Sequence, residues 1–188
     1  MQRLAYLRTP EEIKVAMVFL FTMPGVPFVY YGDEIGMDYI PGLPSKEGGY
    51  IRTGSRTPMQ WNHEKNCGFS VSDTPYLPVD CREGSPTVST QEHDENSLLL
   101  FMKKLIALHK TNTAFYAEAD FHVLFSGYPF VYERIDGCSR FFIALNPSQY
   151  CCYYTVPQLG EIVLRQNIEL QGKNLVMNGI SFLIAKID

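Results

Sequence analysis

The sequence lacks the long apolar run that a membrane-spanning helix requires. Its longest apolar stretch, residues 15–23, falls well short of the roughly 20 residues that cross a bilayer. Clustered basic residues are also missing: 16 Lys and Arg stand against 20 Asp and Glu, which gives a formal net charge of −4. Phosphate binding needs clustered positive charge, so we expect neither a membrane nor a nucleic acid partner.

Cysteine and histidine show no pattern that suggests a metal centre. The cysteines are odd in number and irregularly spaced, with no CxxC pair, and the four histidines lack ligand spacing. We therefore expect no metal and no cofactor. Free thiols in a reducing cytoplasm are the expected state of the five cysteines, which are Cys67, Cys81, Cys138, Cys151 and Cys152.

What the sequence does contain is enough apolar material for a sizeable core. Its 188 residues are 46% hydrophobic and 13% aromatic, which indicates a globular chain with one domain and part of another. Thr9, Pro10 and Glu12 are typical of a helix start, and the apolar residues that follow predict a buried helix over Pro10–Phe21. Pro24 and Gly25 end it, and the unalternating apolar run Val26–Tyr31 predicts a buried parallel strand.

Residues 32–95 show neither helical nor strand periodicity and are rich in turn-forming residues. An irregular segment of this length is either functional or a small subdomain. Asn96 or Ser97 then caps a second helix that runs to about Lys110 with one apolar stripe. From Phe121 onward, short β-rich runs predict about seven antiparallel strands, with hairpin signals at Asp136-Gly137 and Asn178-Gly179.

The long irregular segment combines carboxylates, arginines and aromatic residues. Asp33, Glu34, Arg52, Arg56 and Trp61 are among them. This mixture suits a sugar, because hydroxyl groups accept charged hydrogen bonds and apolar ring faces stack on aromatic side chains. An ordinary polar loop has a similar composition, so the mixture alone does not decide between the two.

The order of residues is more specific than their composition. The string PGVPFVYYGDEIGM at 24–37, followed by RTGSRTPMQW at 52–61 and GFS at 68–70, resembles the end of the catalytic barrel in the α-amylase superfamily, glycoside hydrolase family 13. Gly25, Pro27, Gly32 and Glu34 match the GxPxxxxGxE pattern of the family's eighth barrel strand. RTPMQW is typical of its α-glucosidase, oligo-1,6-glucosidase and trehalose synthase branch.

The resemblance implies an α/β plus all-β chain, in which the end of a TIM (β/α)8 barrel is followed by an antiparallel C-terminal β-sandwich. Residues 1–114 would hold barrel helix 7, strand 8, a long loop and helix 8, and residues 115–188 would form the sandwich. Barrel sites lie at the carboxyl ends of the strands. The long loop after the Val26–Tyr31 strand would therefore border the active site.

The activity implied is retaining hydrolysis or transfer of α-glucosides by a carboxylate nucleophile and a carboxylic acid. Malto- or isomalto-oligosaccharides, or interconversion of trehalose and maltose, are the implied substrates. In the family the catalytic carboxylates precede the eighth strand, one of them in an NHD string, and this sequence contains no NHD. Consecutive Asp33 and Glu34 on a strand would point to opposite faces, so we expect no catalytic residue here and no activity of the chain alone.

The matched residues are expected to have supporting functions. Glu34 is expected to form hydrogen bonds or an ion pair at the barrel mouth, and Gly25 and Gly32 to permit unusual backbone angles. Arg52 and Arg56 would either line the rim of the substrate pocket or anchor the loop. Trp61 would be a loop core residue or a platform for sugar.

Two other functions remain open at this point. The chain could be a stand-alone carbohydrate-binding or structural β-domain module, or a non-catalytic relative that serves as a transporter subunit and needs an anchor elsewhere. If the chain is part of an enzyme, it would bind an oligosaccharide substrate only within the complete protein. Cutting a barrel exposes apolar surface, so we expect the segment from Pro10 to Tyr31 either to mediate self-association or to stay loosely ordered.

Overall fold

The computed structural model describes residues 2–46, 48, 52–80, 82–156 and 160–187, so Cys81 lies outside the described residues. The chain divides into two compact units. The first comprises residues 1–13 and 28–103, and the second comprises residues 14–27 and 104–188. The domain boundary between residues 114 and 115 stays a prediction.

The two helices expected from the sequence are confirmed. Helix α1 spans Pro10–Thr22. The amide of Thr9 donates to Glu12 Oε2 at 2.8 Å, and the amide of Glu12 donates to Thr9 Oγ1 at 3.3 Å, so the reciprocal cap forms. Helix α3 spans Leu98–Thr111, and Ser97 Oγ accepts from the amide of Leu100 at 3.2 Å.

The segment between these helices is irregular, as the sequence indicates. It contains 3₁₀ turns at Asp33–Ile35, Thr53–Ser55 and Lys65–Gly68, and the single-turn helix α2 at Val88–Gln91. A small apolar cluster anchors the segment in the first unit. Its buried members are Ile35, Met37, Met59 and Leu99.

The prediction of a buried strand over Val26–Tyr31 is wrong for this structure. No strand pairing includes these residues, and the chain turns at Tyr31. Val26 is 73% exposed and Phe28 is 86% exposed. A strand requires the backbone of a neighbour, and no described residue supplies one beside this segment.

The described residues of the C-terminal β-rich region form one antiparallel sheet of six strands in the second unit. The strands are β1 Asp120–Ser126, β2 Phe130–Asp136, β3 Ser139–Asn146, β4 Cys152–Thr155, β5 Glu161–Gln171 and β6 Asn174–Ile187. The strand order is β1-β2-β3-β6-β4, and β5 also pairs with β6. The interior of the sheet includes Val131, Phe142 and Leu183.

The predicted antiparallel pairing is confirmed. The finer description as a sandwich is not, because the described strands belong to a single hydrogen-bonded sheet. The hairpin expected at Asp136-Gly137 is present: Asp136 pairs with Ser139 across a turn in which Gly137 has φ of 56°. A second short turn lies at Gly172-Lys173 between β5 and β6. Its sequence signal is weaker, and we did not predict this turn.

The hairpin predicted at Asn178-Gly179 is wrong. Both residues lie inside β6, which pairs with β4 up to Met177 and with β3 from Ser181 onward. At this switch of partners the 146–150 loop approaches closely, and a Cβ on Gly179 would lie 2.4 Å from the carbonyl oxygen of Gln149. The dipeptide therefore lies within a continuous strand, where a side chain at position 179 has no room.

Candidate functional site

Gly32 forms a tight turn at the end of the GxPxxxxGxE string. Its φ is 86°, and its carbonyl accepts from the amide of Met37 at 2.8 Å. A Cβ at this position would meet Met37 Sδ at 2.4 Å. The positive φ therefore favours glycine at position 32, and a Cβ there would also displace the Met37 side chain. Gly25 also has a positive φ, 127°, but nothing lies within 4 Å of its Cβ position.

A buried arginine organises the residues on both sides of Gly32. The side chain of Arg3 is fully buried, and its Nη1 donates to the carbonyl oxygen of Tyr31 at 2.5 Å. The same atom lies 3.7 Å from Asp33 Oδ1, and the guanidinium lies 5.1 Å and 4.9 Å from the ring centroids of Tyr30 and Tyr31. Arg3 therefore binds this turn by charge, hydrogen bond and ring contact together.

Burial shifts the titration of two groups in this cluster. Burial raises the pKa of Asp33, and the charge of Arg3 opposes that shift only in part. Burial, followed by the neighbouring Tyr30 hydroxyl, raises the pKa of Tyr31 to about 12. The Tyr31 hydroxyl donates to the carbonyl of Thr57 at 3.1 Å, which ties the turn to the RTPMQW segment.

Asp33 and Glu34 lie on a 3₁₀ turn, so the strand geometry used to separate them does not apply. Asp33 is paired with Arg3. Glu34 Oε2 is buried and has no hydrogen-bond partner among the described residues, so its expected hydrogen bond or ion pair remains a prediction.

The RTPMQW segment is fixed mainly through its backbone. The amide of Val88 donates to the carbonyl of Gln60 at 3.0 Å, and Gln60 Nε2 donates to the carbonyl of Asp80 at 3.1 Å. The amide of Trp61 donates to the carbonyl of Cys67 at 2.9 Å. The Trp61 side chain is 49% exposed, so its ring is not buried in a loop core.

A charged cluster secures the loop beyond this segment. Arg82 donates from Nε and Nη2 to the two carboxylate oxygens of Asp80 at 2.7 Å each, and from Nη2 to Asp38 Oδ2 at 3.3 Å. Burial alone would raise the pKa of Asp80, but the hydrogen bonds and charge of Arg82 lower it. Sequence reasoning missed this cluster because Asp38 and Arg82 are far apart in the chain.

A cavity of about 560 Å³ lies against the RTPMQW segment within the first unit. Its walls are mainly carbon, and the polar residues that line it are Arg56, Ser70, Ser72 and Thr74. The apolar wall includes Tyr31, Pro58, Met59, Phe69, Tyr76 and Leu77. The size and the few polar groups are typical of a small-molecule site.

Both arginines singled out from the sequence line cavities in this unit. Arg56 lines the large cavity and also a much smaller one, of about 10 Å³, which Arg52 and Lys46 share. Binding of sugar by either arginine remains a prediction. The sequence analysis missed Phe69 and Tyr76, although the GFS string and the Pro75-Tyr76 dipeptide were available as signals.

Over the described residues no helix has the length and apolar character needed to cross a bilayer. Within the same ranges no three His, Cys, Asp or Glu side chains come together in a way that could hold a metal ion. The four cysteines that the structure describes carry free thiols.

Comparison with known protein families gives one match over more than half of the chain. The family described as alpha amylase, catalytic domain, matches residues 3–118. That range includes Arg3, the Gly32 turn, the RTPMQW segment and every residue that lines the large cavity.

Curated relatives fall into two groups, transporter heavy chains and proteins named as a trehalose synthase/amylase or a glucosidase. The amino acid transporter heavy chain SLC3A1 of Homo sapiens is 33% identical over 137 residues, covering 72% of this chain and 20% of that protein. Trehalose synthase/amylase TreS of Mycolicibacterium smegmatis is 35% identical, covering 69% of this chain and 22% of that protein. Oligo-1,6-glucosidase of Parageobacillus thermoglucosidasius is 28% identical, covering 78% of this chain and 31% of that protein.

Solved structures resemble the fold closely at low identity. Isomaltulose synthase from Klebsiella sp. LX3 has a TM-score of 0.79 and 21% identity, covering 95% of this chain and 38% of that one. A mutant of trehalulose synthase MutB has a TM-score of 0.80 and 18% identity, with the same coverage of 95% and 38%. The chain thus spans well under half the length of the proteins it matches.

Proposed function

Because this chain belongs to the α-amylase family, we propose that it is the C-terminal portion of a retaining hydrolase or transglucosidase that acts on α-glucosides. The substrates we propose are malto- or isomalto-oligosaccharides, or trehalose and maltose in interconversion. The names of three relatives support this choice: glucan 1,6-alpha-glucosidase, oligo-1,6-glucosidase and trehalose synthase/amylase. One observation carries the proposal, namely that RTPMQW residues Arg56, Pro58 and Met59 form a wall of a ligand-sized cavity.

In this proposal the chain supplies part of the binding wall and not the reacting carboxylates. Retaining chemistry needs a nucleophilic carboxylate and a carboxylic acid on either side of the glycosidic bond. Asp33 is paired with Arg3, whose guanidinium also contacts the rings of Tyr30 and Tyr31, which suits Asp33 to hold the turn. We therefore propose that the chain alone does not turn over an α-glucoside. We also propose that the protein needs no cofactor and works in the cytoplasm.

A second function is favoured by a specific finding. Similarity to the human amino acid transporter heavy chain, at 33% identity over 137 residues, supports a non-catalytic role as the partner of a transporter. A stand-alone carbohydrate-binding β-domain module has less support, because the ligand-sized cavity lies in the first unit and not in the sheet. Binding of α-glucosides separates the enzyme proposal from the heavy-chain proposal.

The test is ligand binding by the complete protein and turnover by the purified chain. For the complete protein we expect binding of isomaltose, maltose or trehalose by saturation-transfer NMR and no binding of the β-linked cellobiose. Arg56→Met should weaken that binding, since it removes the cationic group on the cavity wall. Absence of binding to every α-glucoside contradicts the enzyme proposal. The purified chain should release no nitrophenol from p-nitrophenyl α-glucoside. Release by the purified chain, whether or not Asp33→Asn or Glu34→Gln abolishes it, contradicts the proposed inactivity.

We further propose that the chain self-associates with a second copy through the segment from Pro10 to Tyr31, in which residues 26–31 carry most of the large exposed side chains. The large exposed side chains there support it: Phe28 is 86% exposed and Val26 is 73% exposed. Apolar surface of this kind on a soluble protein marks an association site. Light scattering should show a dimer or larger species that Phe28→Ser reduces, whereas the control Val71→Ser leaves it unchanged. A concentration-independent monomer contradicts the proposal.

A further inference from the structure

The polar part of the cavity wall against the RTPMQW segment is rich in hydrogen-bond donors. Ser70 Oγ accepts from the amide of Ser72 at 3.1 Å, and Ser72 Oγ accepts from the amide of Thr74 at 3.2 Å. Each of these two serine hydroxyls keeps its own proton and can donate it to a ligand. Arg56, whose guanidinium has several N–H donors and no acceptor, lines the same cavity. The wall therefore suits a ligand that supplies acceptors.

Positive charge is concentrated where the large cavity meets a smaller one. The smaller cavity, of about 10 Å³, shares Arg56 and Leu77 with the large one and is also lined by Lys46 and Arg52. It has room for about one water molecule, so it contributes charge beside the large cavity rather than space for a ligand. No Asp or Glu is among the described residues that line either cavity. Three cationic side chains thus lie at this end of the large cavity.

The acidic residue of the same loop is turned to another partner. Asp73 stands between Ser72 and Thr74 in the sequence, but it does not line the cavity. Its side chain is 95% accessible, and its Oδ1 accepts from Lys65 Nζ at 2.5 Å. Water and salt screen the charge of such an exposed pair. Asp73 therefore does little to offset the positive charge at the cavity.

The rest of the wall is apolar and offers aromatic surface to a ligand. Phe69 is 52% exposed and Tyr76 is 63% exposed. Lys46 Nζ donates to the carbonyl of Tyr76 at 2.5 Å and lies 5.0 Å from its ring centroid, so one cation of the cluster is held against the aromatic wall. A cavity of about 150 Å³ holds benzene, so the volume of about 560 Å³ admits a ring with a short chain.

We propose that this cavity binds an amphipathic organic anion, in which an aryl or alkyl body carries one carboxylate. The body packs on the aromatic and aliphatic wall, and the carboxylate accepts hydrogen bonds from Arg56 and the serine hydroxyls. A carboxylate has acceptors only, and a guanidinium can bind it through two parallel hydrogen bonds. The donors of Arg56 are numerous enough to serve a ligand in addition to contacts within the protein. The inference goes beyond the proposed function, because the ligand is not a glucoside.

The experiment compares ligands that share an apolar body and differ in the head group. Every residue that lines the cavity lies in the first unit of this chain, so calorimetry is run on the full chain. The ligands are phenylbutyrate, the alcohol phenylbutanol, the amine phenylbutylamine, and acetate as a head group without a body. We expect phenylbutyrate to bind roughly tenfold or more tightly than the alcohol, because hydrogen bonds to a charged group are stronger than neutral ones.

The other ligands separate the contributions of charge and of apolar contact. The amine should bind more weakly than the alcohol, because the three cations repel it. Acetate should not bind measurably, since it lacks the body that packs on the wall. Added salt should reduce the preference for phenylbutyrate over the alcohol and leave the affinity of the alcohol nearly unchanged.

Variants assign the preference to Arg56. Arg56→Met should weaken phenylbutyrate binding by roughly tenfold and leave phenylbutanol binding unchanged, and retained alcohol binding shows that the variant is folded. Arg56→Lys should keep part of the preference, since it keeps the charge but not the paired hydrogen bonds. Tyr76→Ala should weaken both ligands to a similar extent. The matched control is Lys65→Met, which removes a positive charge from the same loop at a residue that does not line the cavity.

Each outcome decides for or against the anion site. Equal affinity for phenylbutyrate and phenylbutanol, tighter binding of the amine, or no binding of phenylbutyrate overturns it. A preference that Arg56→Met leaves unchanged, or that Lys65→Met reduces as much as Arg56→Met does, also overturns it. A preference that only Arg56→Met removes supports it. The comparison of head groups on the natural chain decides by itself if Arg56→Met does not fold. No glucoside enters the test, so its outcome is independent of the proposed function.

Discussion

The two compact units differ in what holds their backbones in place. In the second unit, backbone groups pair with one another along the ladders of six strands, and side chains such as Phe142 and Leu183 fill a continuous interior. In the first unit, side chains donate hydrogen bonds to many of the backbone carbonyls instead. The donors Arg3, Lys46 and Gln60 bind the carbonyls of Tyr31, Tyr76 and Asp80, respectively. A segment without ladders depends on individual polar contacts.

This difference has a consequence for stability and for function. Ladder pairing and core packing act cooperatively, so a change in the sheet should be felt throughout the unit. A polar contact to one carbonyl fixes a few residues, so a change there should act locally. The residues that line the cavity, such as Phe69 and Tyr76, lie in the locally fixed unit.

The largest expected effect is in the sheet. Phe142 is 1% exposed, and Phe142→Ala removes a ring from the closed interior, so we expect the free energy of unfolding to fall by about 3–5 kcal/mol. Chemical denaturation of the second unit measures it. Tyr150→Ala is the control, because Tyr150 is 82% exposed and should change stability little. A loss below about 1 kcal/mol for Phe142→Ala would show that this sheet tolerates cavities unusually well.

The next effect tests a close backbone approach in the first unit. A Cβ at position 54 would lie 1.9 Å from the carbonyl oxygen of Ile40. Gly54→Ala should therefore push the two loop segments apart and cost about 2–3 kcal/mol. Hydrogen exchange at the Ile40 amide, which donates to Gly54 at 3.1 Å, reports the local opening.

The control for this variant comes from the other unit. At Gly127 the atoms nearest a Cβ belong to the Phe125 ring, which can rotate away, so Gly127→Ala should cost less than Gly54→Ala. Equal costs at the two glycines would mean that the Ile40 and Gly54 segments can separate with little loss of stability.

A smaller effect is expected for the charged cluster. Asp80→Asn removes the charge from the paired contact with Arg82 and should cost about 1–2 kcal/mol near neutral pH. The pKa of Asp80 is lowered in the folded state, so its contribution is present above the unfolded pKa of about 4. That contribution disappears as pH falls through the folded pKa.

The measurement for this cluster is unfolding at several pH values. The difference in the free energy of unfolding between the natural chain and Asp80→Asn should be constant above about pH 5 and should diminish at lower pH. Asp73→Asn is the control, because its ion pair with Lys65 is exposed, with Asp73 95% and Lys65 53% accessible. A difference in the free energy of unfolding that does not narrow at all as pH falls below the unfolded pKa of about 4 would show that Asp80 acts by shape and not by charge.

The smallest effect concerns the start of helix α1. Thr9→Ala removes the oxygen that accepts from the amide of Glu12, and we expect a loss of about 0.5–1 kcal/mol. Thr9→Ser keeps the oxygen and should preserve stability. Thermal unfolding compares the two variants. If serine proves as costly as alanine, the methyl group of Thr9, rather than its cap, supports the helix.

How far the sequence predicts this protein depends on whether the signal is local. The Thr9 and Ser97 caps are decided within one turn of chain, and both helices begin where these residues indicate. The Asp136-Gly137 turn is decided by its own backbone angles in the same way. The family resemblance rests on strings such as RTPMQW, and the match over residues 3–118 confirms it.

The tertiary structure alone decided the features that need a distant partner. Val26–Tyr31 has the composition of a buried strand, but no described residue pairs with it, so it stays exposed. Asn178-Gly179 has the composition of a hairpin turn, but the 146–150 loop and the partners of β6 keep it within a strand. The cavity likewise depends on Tyr31, Met59 and Tyr76 meeting from separate parts of the chain. Local propensity is written in neighbouring residues, whereas pairing and enclosure depend on which segments meet in space.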